Sequence, residues 1–380
     1  MKIACYTDIH NQQAMLNLPT VLRGSATAAA RLTQEEWGQA DLAIVGGDNI
    51  SDYPHYNRSC ALPYRNWLDF KEKFTANFAA VARGGRVLYV DGNNDLILGD
   101  LPTAENPPYN TADFYTTPMK QTLGVLSPAD YIGKYAAAKG EQAGEHLLAF
   151  HYAVDGVDFF GLNLDPDTCF DSHDGYYNAD SLRWLKHKLD EVDPQGNKLL
   201  FVVGHLSATV LVDDTTPRED MPPERWAALY EALQGHRNLF YLYGHVHGQH
   251  FSHTRTAPGV LPIGSDGQLM KIPTAETDSR QLLGDARPDF YTVHMGGLRP
   301  FLCWGKADLT RYFEDDALTG TIPGDTEPQL YPGTATPRLA QYLLIDTFPD
   351  RVVFAYRNTG TYPGFTPADK PASFTVYRQD

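Results

Sequence analysis

The chain has 380 residues, 42% of them hydrophobic, and a formal net charge of −16. This hydrophobic content excludes a disordered protein, and the length exceeds the usual single domain although large layered folds reach it undivided. The acidic balance argues against duplex DNA or an anionic membrane surface as the main partner, because both need clustered Lys and Arg.

The lengths of the apolar runs and the spacing of the cysteines bear on the cellular compartment and on the kind of site. No apolar run is long enough to span a bilayer, and the chain turns polar at Thr7, too early for a secretory signal. We therefore expect a cytoplasmic protein, unless a leader has been removed. The four cysteines lack C-x-x-C spacing, which argues against a zinc ribbon or a thioredoxin-type site.

Short β-rich runs alternate with helical patterns along the chain. Strands are predicted, in chain order, at residues 3–7, 42–45, 87–90, 199–203 and 239–243. Helices are predicted at residues 67–81, 181–192 and 223–233. A hairpin is predicted around Asp155-Gly156, and two further strands at residues 341–346 and 352–356. The alternation indicates an α/β layered fold, with a second sheet near the C-terminus.

Two segments, residues 97–145 and 250–338, are rich in Pro, Gly and Thr and have little periodicity. Long irregular segments inside a compact domain usually carry function. We therefore expect one domain over residues 1–380, in which these two insertions shape the substrate pocket.

Polar clusters follow the five predicted strands. They are Asp8-Ile9-His10, Gly46-Gly47-Asp48-Asn49, Gly92-Asn93-Asn94-Asp95, Gly204-His205 and Gly244-His245-Val246-His247. The carboxyl ends of strands in an α/β sheet converge on one edge, so these segments should meet. Carboxylate, amide oxygen and imidazole suit Mn, Fe, Zn or Co. The predicted ligands are Asp8, His10, Asp48, Asn93, His205, His245 and His247, although the spacing does not assign them to particular ions.

This series of motifs resembles the calcineurin-like metallophosphoesterase superfamily, whose pattern is D-x-H, G-D, G-N-H-D/E, G-H and G-H-x-H. The resemblance covers residues 1 to about 250, and it implies a four-layer αββα sandwich with metal ions at the strand ends. It also implies roles for the ligands. Asp8, His10 and His247 would hold the first ion, Asp48 would bridge both, and Asn93, His205 and His245 would complete the second.

The resemblance implies a phosphoesterase with two divalent transition-metal ions. Ions about 4 Å apart clamp a phosphate, and a hydroxide that bridges them attacks phosphorus. The substrate would be a phosphorylated small molecule, and a monoester, a diester and a phosphoanhydride all remain open. No basic, aromatic-interleaved patch is visible, which argues against a nuclease.

Asn94 departs from the family pattern, which has histidine there, whereas Asp95 is retained. An amide cannot act as a general acid, because it does not release a proton near neutral pH. General acid catalysis is worth about 10²–10⁴-fold in rate. The chain would then favour substrates with good leaving groups, or use another acid, for which His151 and His173 are candidates. The alternative is a catalytically weakened metal-binding scaffold of the same fold. Tyr176 and Tyr177 either line the pocket or pack on the sheet edge.

Overall fold

The structure is a computed structural model that describes residues 1–9, 21–49, 75–93, 148–165, 176–206, 211–212, 217–218, 223–245, 290–298, 341–358 and 373–379. The helices in these ranges are α1 (Val21–Trp37), α2 (Thr75–Val81), α3 (Ala179–Val192) and α4 (Pro223–Leu233), with a 3₁₀ turn at Arg83–Gly85. The strands are β1 (Lys2–Tyr6), β2 (Leu42–Gly46), β3 (Val87–Val90), β4 (Ala149–Val154), β5 (Val157–Leu162), β6 (Leu200–Val203), β7 (Leu211–Val212), β8 (Pro217–Arg218), β9 (Leu239–Tyr243), β10 (Tyr291–His294), β11 (Gln341–Thr347), β12 (Arg351–Asn358) and β13 (Ser373–Tyr377). No helix of the described ranges is both long and apolar enough to cross a membrane.

Two large mixed sheets organise the fold. The first has the strand order β13-β12-β11-β1-β2-β3, and the second has the order β10-β9-β6-β5-β4. In the first sheet β1, β2 and β3 are parallel, whereas β11, β12 and β13 add to them in antiparallel fashion. In the second sheet β5, β6, β9 and β10 are parallel and β4 is antiparallel to β5. Each sheet therefore has one end at which several carboxyl termini of parallel strands lie side by side.

Alternation along the strands places one core between the sheets and further apolar packing beneath the helices. Along β1, Ile3 and Cys5 belong to a buried cluster that also contains Phe201 and Phe240 of the second sheet. The intervening Ala4 and Tyr6 pack instead in a cluster with alanines of α1 and Phe78 of α2. The period of two thus gives both faces of β1 an apolar partner. The layers run helix, sheet, sheet, helix, and the predicted four-layer αββα architecture is confirmed.

The predicted elements agree with the structure at most places. The strands at residues 87–90 and 239–243 and the helix at residues 223–233 have the predicted bounds. The other predicted elements, apart from the helix at residues 67–81, differ by one or two residues at an end. Of the predicted helix at residues 67–81, the described part is Thr75–Val81. The segment 97–145 lies outside the described residues, as does most of 250–338.

The strands and helices that were not predicted are α1, β10, β13 and the two-residue strands β7 and β8, and the 3₁₀ turn was not predicted either. The buried positions of α1 include Ala26, Ala29 and Ala30, and such small side chains leave little contrast for helical periodicity. β10 reads Tyr-Thr-Val-His, and this alternation over only four residues does not stand out in a segment rich in Pro, Gly and Thr. Because β10 lies inside the segment 250–338, part of that predicted insertion belongs to the second sheet.

The predicted hairpin joins β4 to β5. Asp155 and Gly156 form its turn with φ angles of 48° and 86°, the positive values that a two-residue type I′ turn requires. A Cβ atom added at Gly156 would have no neighbour within 4 Å. This turn is therefore left-handed but sterically open.

Candidate metal centre

Five of the seven predicted ligands are described, and the structure brings them to one edge of the sandwich. Asp8, Asp48 and Asn93 follow β1, β2 and β3 of the first sheet. His205 and His245 follow β6 and β9 of the second sheet. The chain after each of these five parallel strands thus supplies one candidate ligand, and the two sheets contribute to the same place.

Hydrogen bonds between the two sheets fix this edge. The backbone N–H of His245 donates to Asp8 Oδ1 over 3.1 Å. The ring of His205 lies 2.8 Å from the carbonyl oxygen of Gly46 through its Nδ1 atom. Within the first sheet, the N–H of Asp8 donates to the carbonyl oxygen of Gly47 over 3.0 Å. The candidate ligands are therefore held by backbone as well as by side-chain contacts.

The ligand atoms lie at spacings that suit a shared cation. His205 Nε2 is 3.2 Å from Asp48 Oδ1, and His245 Nδ1 is 2.9 Å from Asn93 Oδ1. One ligand atom from each of Asp48, His205 and His245 lies within 4.8 Å of the others. Nitrogen and oxygen ligands bind Zn²⁺ at about 2.0–2.2 Å, so ligand atoms of one ion can be up to roughly 4 Å apart. Small side-chain movements would bring all three onto one ion.

The chemistry of His205 fits a metal ligand. Gly46 oxygen can only accept, so His205 Nδ1 carries the proton that is shared with it, and Nε2 is the atom directed at Asp48. This Nε2 atom is buried, and it has no hydrogen bond of good geometry to any of the described residues. A neutral imidazole would present a lone pair to the carboxylate at 3.2 Å, an arrangement that needs a proton or a cation between them.

Buried charges explain why this edge attracts cations. Burial alone would lower the pKa of His205, but the carboxylates of Asp48 and Asp8 raise it to about 10. Burial raises the pKa of Asp8 to about 7, with a further upward contribution from Asp48 and an opposing one from the nearby His205. Both aspartates are fully buried. Two carboxylates enclosed without solvent favour a bound cation, which neutralises them more completely than a single proton does.

Strained backbone also concentrates here. Four non-glycine residues of the described ranges have positive φ, and three of them are Asp8, Asp48 and His245, at 53°, 52° and 67°. The fourth is Asp155 in the hairpin turn. Left-handed conformation is uncommon outside glycine and costs of order 1–3 kcal/mol where it is sparsely populated. Three such residues at one edge indicate that an unfavourable backbone geometry is maintained there for function.

The turn after β2 also requires glycine at position 47. Gly47 has a φ of +93°, and a Cβ atom added there would lie 2.5 Å from His205 Nδ1 and 2.8 Å from the carbonyl oxygen of Asp91. The backbone of this turn therefore passes against the ring of a candidate ligand with no room for a side chain.

Asp91 and Asn163 contribute a contact that the sequence did not suggest. The N–H of Asp91 donates to Asn163 Oδ1 over 2.9 Å, and the N–H of Leu164 donates to Asp91 Oδ1 over 2.7 Å. These reciprocal bonds join the end of β3 to the end of β5, and so hold the turn that leads to Asn93. Asp91 could have been noticed in the sequence, because it directly precedes the Gly92-Asn93 motif. Asn163 could not, because no ligand motif follows its strand.

The remaining predicted site residues are His10, Asn94, Asp95 and His247, and they lie outside the described residues, as does His173. His151 is described and lies in β4, where its Nε2 is 2.7 Å from Asp158 Oδ1. Asp158 also pairs with Lys198. Burial raises the pKa of Asp158, but the hydrogen bonds from His151 and Lys198 outweigh it and lower the pKa below its usual value. Asp158 is near the start of β5, at the opposite end from the candidate ligands, so His151 is not placed to act as the general acid.

Tyr177 packs beneath the candidate ligands and does not line an open pocket. Its side chain is 1% exposed, and its hydroxyl accepts a hydrogen bond of 2.8 Å from the N–H of His205. Of the two interpretations of this tyrosine, the structure therefore agrees with packing on the sheet edge.

Comparisons with known proteins agree with this architecture. The chain is similar to a dimetal phosphatase from Danio rerio, with 13% identity, coverage of 100% of this chain and 99% of that chain, and a TM-score of 0.51. It is also similar to GAP50, the anchor in the inner membrane complex of Plasmodium, with 10% identity, coverage of 100% and 89%, and a TM-score of 0.47. At 13% identity the likeness to the Danio rerio phosphatase concerns the fold alone. No curated protein matches the chain in sequence.

The sequence itself matches a family of known chemistry. Residues 1–249 match the family described as calcineurin-like phosphoesterase. This match covers well over half of the 380 residues and includes all five polar clusters and both sheets through β9. The chain belongs to the calcineurin-like phosphoesterase family.

Proposed function

We propose that the chain hydrolyses a phosphate ester or phosphoanhydride of a small molecule at a centre of two divalent transition-metal ions, drawn from Mn, Fe, Zn and Co. The observation that carries this proposal is the convergence of Asp48, His205 and His245, with ligand atoms within 4.8 Å of one another, at the strand ends of a phosphoesterase fold. One buried imidazole–carboxylate pair is not diagnostic, because His236 and Asp193 also form one, at 2.9 Å. The third ligand, His245, distinguishes the candidate site.

The assignment of ligands to ions follows the family pattern. One ion would be held by Asp8, His10 and His247, the other by Asn93, His205 and His245, and Asp48 would contact both. The contacts support the second group most directly. His205 lies against Asp48, and His245 Nδ1 and Asn93 Oδ1 face each other across 2.9 Å.

In this reaction the protein's own side chains would hold the metal ions and orient the ligands and the substrate. When bound, the two ions would supply positive charge for the phosphate and a hydroxide nucleophile near neutral pH. Asp48 and Asp8 provide the negative charge that retains the ions, and the bond from His205 to Gly46 selects the ring nitrogen that faces them. We assign Asn94 to substrate contact, where its amide can donate a hydrogen bond to a phosphoryl oxygen but cannot supply a proton, and Asp95 to orienting the side chain at position 94.

The proposal is tested with protein stripped by a chelator and reloaded with Mn²⁺, Fe²⁺, Zn²⁺ or Co²⁺. Reloaded protein should hydrolyse an activated aryl phosphate, and stripped protein should not. Hydrolysis in ¹⁸O-water should place the label in the phosphate product in one step, because no side-chain nucleophile takes part. A trapped phosphoenzyme would contradict the mechanism. Full metal occupancy without turnover on esters, diesters or anhydrides would favour the scaffold alternative.

Asn94 gives a second prediction about the leaving group. Metal ions readily expel a leaving group that is stable as an anion, but an alkoxide needs a proton as it departs. The wild-type rate should therefore fall steeply as the leaving-group pKa rises. Asn94→His should flatten this dependence and improve alkyl phosphates more than aryl phosphates, by up to about 10²-fold. Parallel dependences for the two proteins, measured over one series of esters, would show that leaving-group help is not lost at position 94.

A further inference from the structure

The turn after β6 has backbone groups that no strand satisfies. The parallel pairing of β5 with β6 ends at Gly161 and Val203. Beyond this pair, the chain after β5 turns toward the first sheet, where Asn163 receives the N–H of Asp91. The backbone N–H groups of His205 and Leu206 are both directed at the phenol oxygen of Tyr177, over 2.8 Å and 3.0 Å. One tyrosine hydroxyl thus takes the place of the missing strand carbonyls.

A second tyrosine fixes the orientation of this hydroxyl. Two N–H groups occupy the acceptor sites of the Tyr177 oxygen, so its proton is available only for Tyr241, whose hydroxyl oxygen lies 2.8 Å away. Tyr241 in turn donates to the carbonyl oxygen of Leu206 over 2.9 Å. Both rings are buried, at 1% and 0% exposure. This chain of hydrogen bonds starts at the N–H groups of His205 and Leu206 and ends at the carbonyl oxygen of Leu206, in the same turn. Each hydroxyl both accepts and donates a hydrogen bond.

Gly204 makes room for this chain of hydrogen bonds. A Cβ atom added at Gly204 would collide with the hydroxyl oxygens of both Tyr177 and Tyr241. The glycine that precedes His205 therefore leaves space for the hydroxyl groups of the tyrosine pair.

His205 is held at three points. Its N–H donates to Tyr177, its carbonyl oxygen accepts from the N–H of Gly244 over 3.0 Å, and its Nδ1 lies 2.8 Å from Gly46 oxygen. The chain just before His205 is held by strand pairing, since the N–H of Gly204 donates to the carbonyl oxygen of Leu242 over 3.0 Å. The Tyr177 contact adds a constraint on the N–H of His205 itself, and it thereby helps to set the direction in which Cβ and the ring leave the backbone.

We propose that Tyr177 is a positioning residue for the metal ligand His205, with Tyr241 orienting the Tyr177 hydroxyl. This inference rests on the proposed function, because it takes His205 as a ligand. Neither tyrosine touches the ion or the substrate. Their contribution is to pre-set the direction of one ligand, so that binding an ion does not have to order the turn.

The test compares Tyr177→Phe and Tyr241→Phe with a control, Tyr356→Phe. Tyr356 is also fully buried and also donates its hydroxyl proton to a backbone carbonyl, that of His294, over 2.5 Å. Each variant removes one buried oxygen atom. The measurements on chelator-stripped protein are the Mn²⁺ and Co²⁺ affinities by competition with an indicator, the visible spectrum of bound Co²⁺, and the urea midpoint of unfolding.

Loss of an outer partner of a metal ligand weakens metal binding about 10- to 100-fold, and we expect this loss for Tyr177→Phe. Tyr241→Phe should give a smaller loss, because Tyr177 keeps both N–H contacts. Tyr356→Phe should bind the metals as wild type does, even if its urea midpoint falls. A changed Co²⁺ spectrum in Tyr177→Phe alone would report altered ligand geometry, which a general loss of stability does not produce.

Several results would overturn the inference. One is a Tyr177→Phe variant that binds the metals as tightly as wild type. Another is an equal loss of metal affinity in Tyr177→Phe and Tyr356→Phe. If Tyr177→Phe does not fold, the comparison of Tyr241→Phe with Tyr356→Phe decides, and equal affinities reject the proposal. Wild-type protein that binds neither metal rejects both this inference and the proposed function. Wild-type protein that binds metals but hydrolyses no phosphate ester rejects the proposed function alone, because affinity still tests Tyr177.

Discussion

Asp48→Asn should lower kcat by about 10³-fold or more and reduce the metal content below the roughly two ions per chain expected for wild type. Asp48 is fully buried, lies 3.2 Å from His205 Nε2, and is the one ligand assigned to both ions. An amide keeps the shape of the side chain but removes its negative charge, so both ions lose at once the carboxylate charge that retains them. Metal content by elemental analysis and kcat on an aryl phosphate measure the two effects.

The matched control for this variant is Asp193→Asn. Asp193 is also buried, at 3% exposure, and its carboxylate accepts from the N–H groups of Asn197 and Lys198, each over 3.0 Å. The same chemical change there should lower the urea midpoint and leave metal content and kcat near wild type. If Asp48→Asn retains full metal content and full activity, the bridging role of Asp48 is wrong.

Gly47→Ala should lower metal affinity at least about 10-fold and kcat about 10²-fold, because a misplacement of about 1 Å at a catalytic centre has effects of this size. The new methyl group would meet His205 Nδ1 at 2.5 Å and the carbonyl oxygen of Asp91 at 2.8 Å. Either the ring leaves its contact with Gly46 or the turn that carries Asp48 shifts. The same indicator competition and aryl phosphate assay measure the result.

A change at Gly156 separates this collision from backbone strain. Gly156→Ala places a methyl group at a φ of +86°, close to the +93° of Gly47, with no atom within 4 Å. Both variants should lose about 1–2 kcal/mol of unfolding free energy from the left-handed backbone. Only Gly47→Ala should lose metal affinity. Equal affinities in the two variants would show that His205 and Asp48 tolerate the displacement, and that Gly47 is required for its φ angle alone.

Local patterns predicted most of the described fold. The strands that carry the candidate ligands are continuous apolar runs that stop at Gly or Asp, as strands buried on both faces do. The helix α3 was recognisable from its cap, since Asn178 accepts from the N–H of Ser181 over 2.8 Å. By contrast, α1 buries alanines, and β10 is four buried residues within a segment rich in Gly and Pro. The alanines give α1 little contrast between its faces, and the alternation of β10 is too short to stand out.

The candidate site could be predicted only in part, for a physical reason. Residue type and position after a strand are local properties, and they were sufficient to select Asp8, Asp48, Asn93, His205 and His245. The groups that hold these residues act across the fold. Asp91 meets Asn163 over 72 positions of sequence, and Tyr177 meets Tyr241 over 64. Positive φ at Asp8, Asp48 and His245 is likewise imposed by tertiary contacts, because none of the three residue types requires it.

The division of the ligands between the two sheets has a thermodynamic consequence. Asp8, Asp48 and Asn93 belong to one sheet, and His205 and His245 to the other. A cation held by both groups is a cross-link between layers that are otherwise joined mainly by apolar packing. Its affinity then depends on the spacing and register of the two sheets, so a substitution such as Phe201→Leu, deep in the core between them, can alter metal binding without touching a ligand. Conversely, at a free metal concentration of 100 times Kd, each ion adds about 2.7 kcal/mol to the free energy of unfolding. Metal supply and resistance to unfolding are in this way a single coupled property of the sandwich.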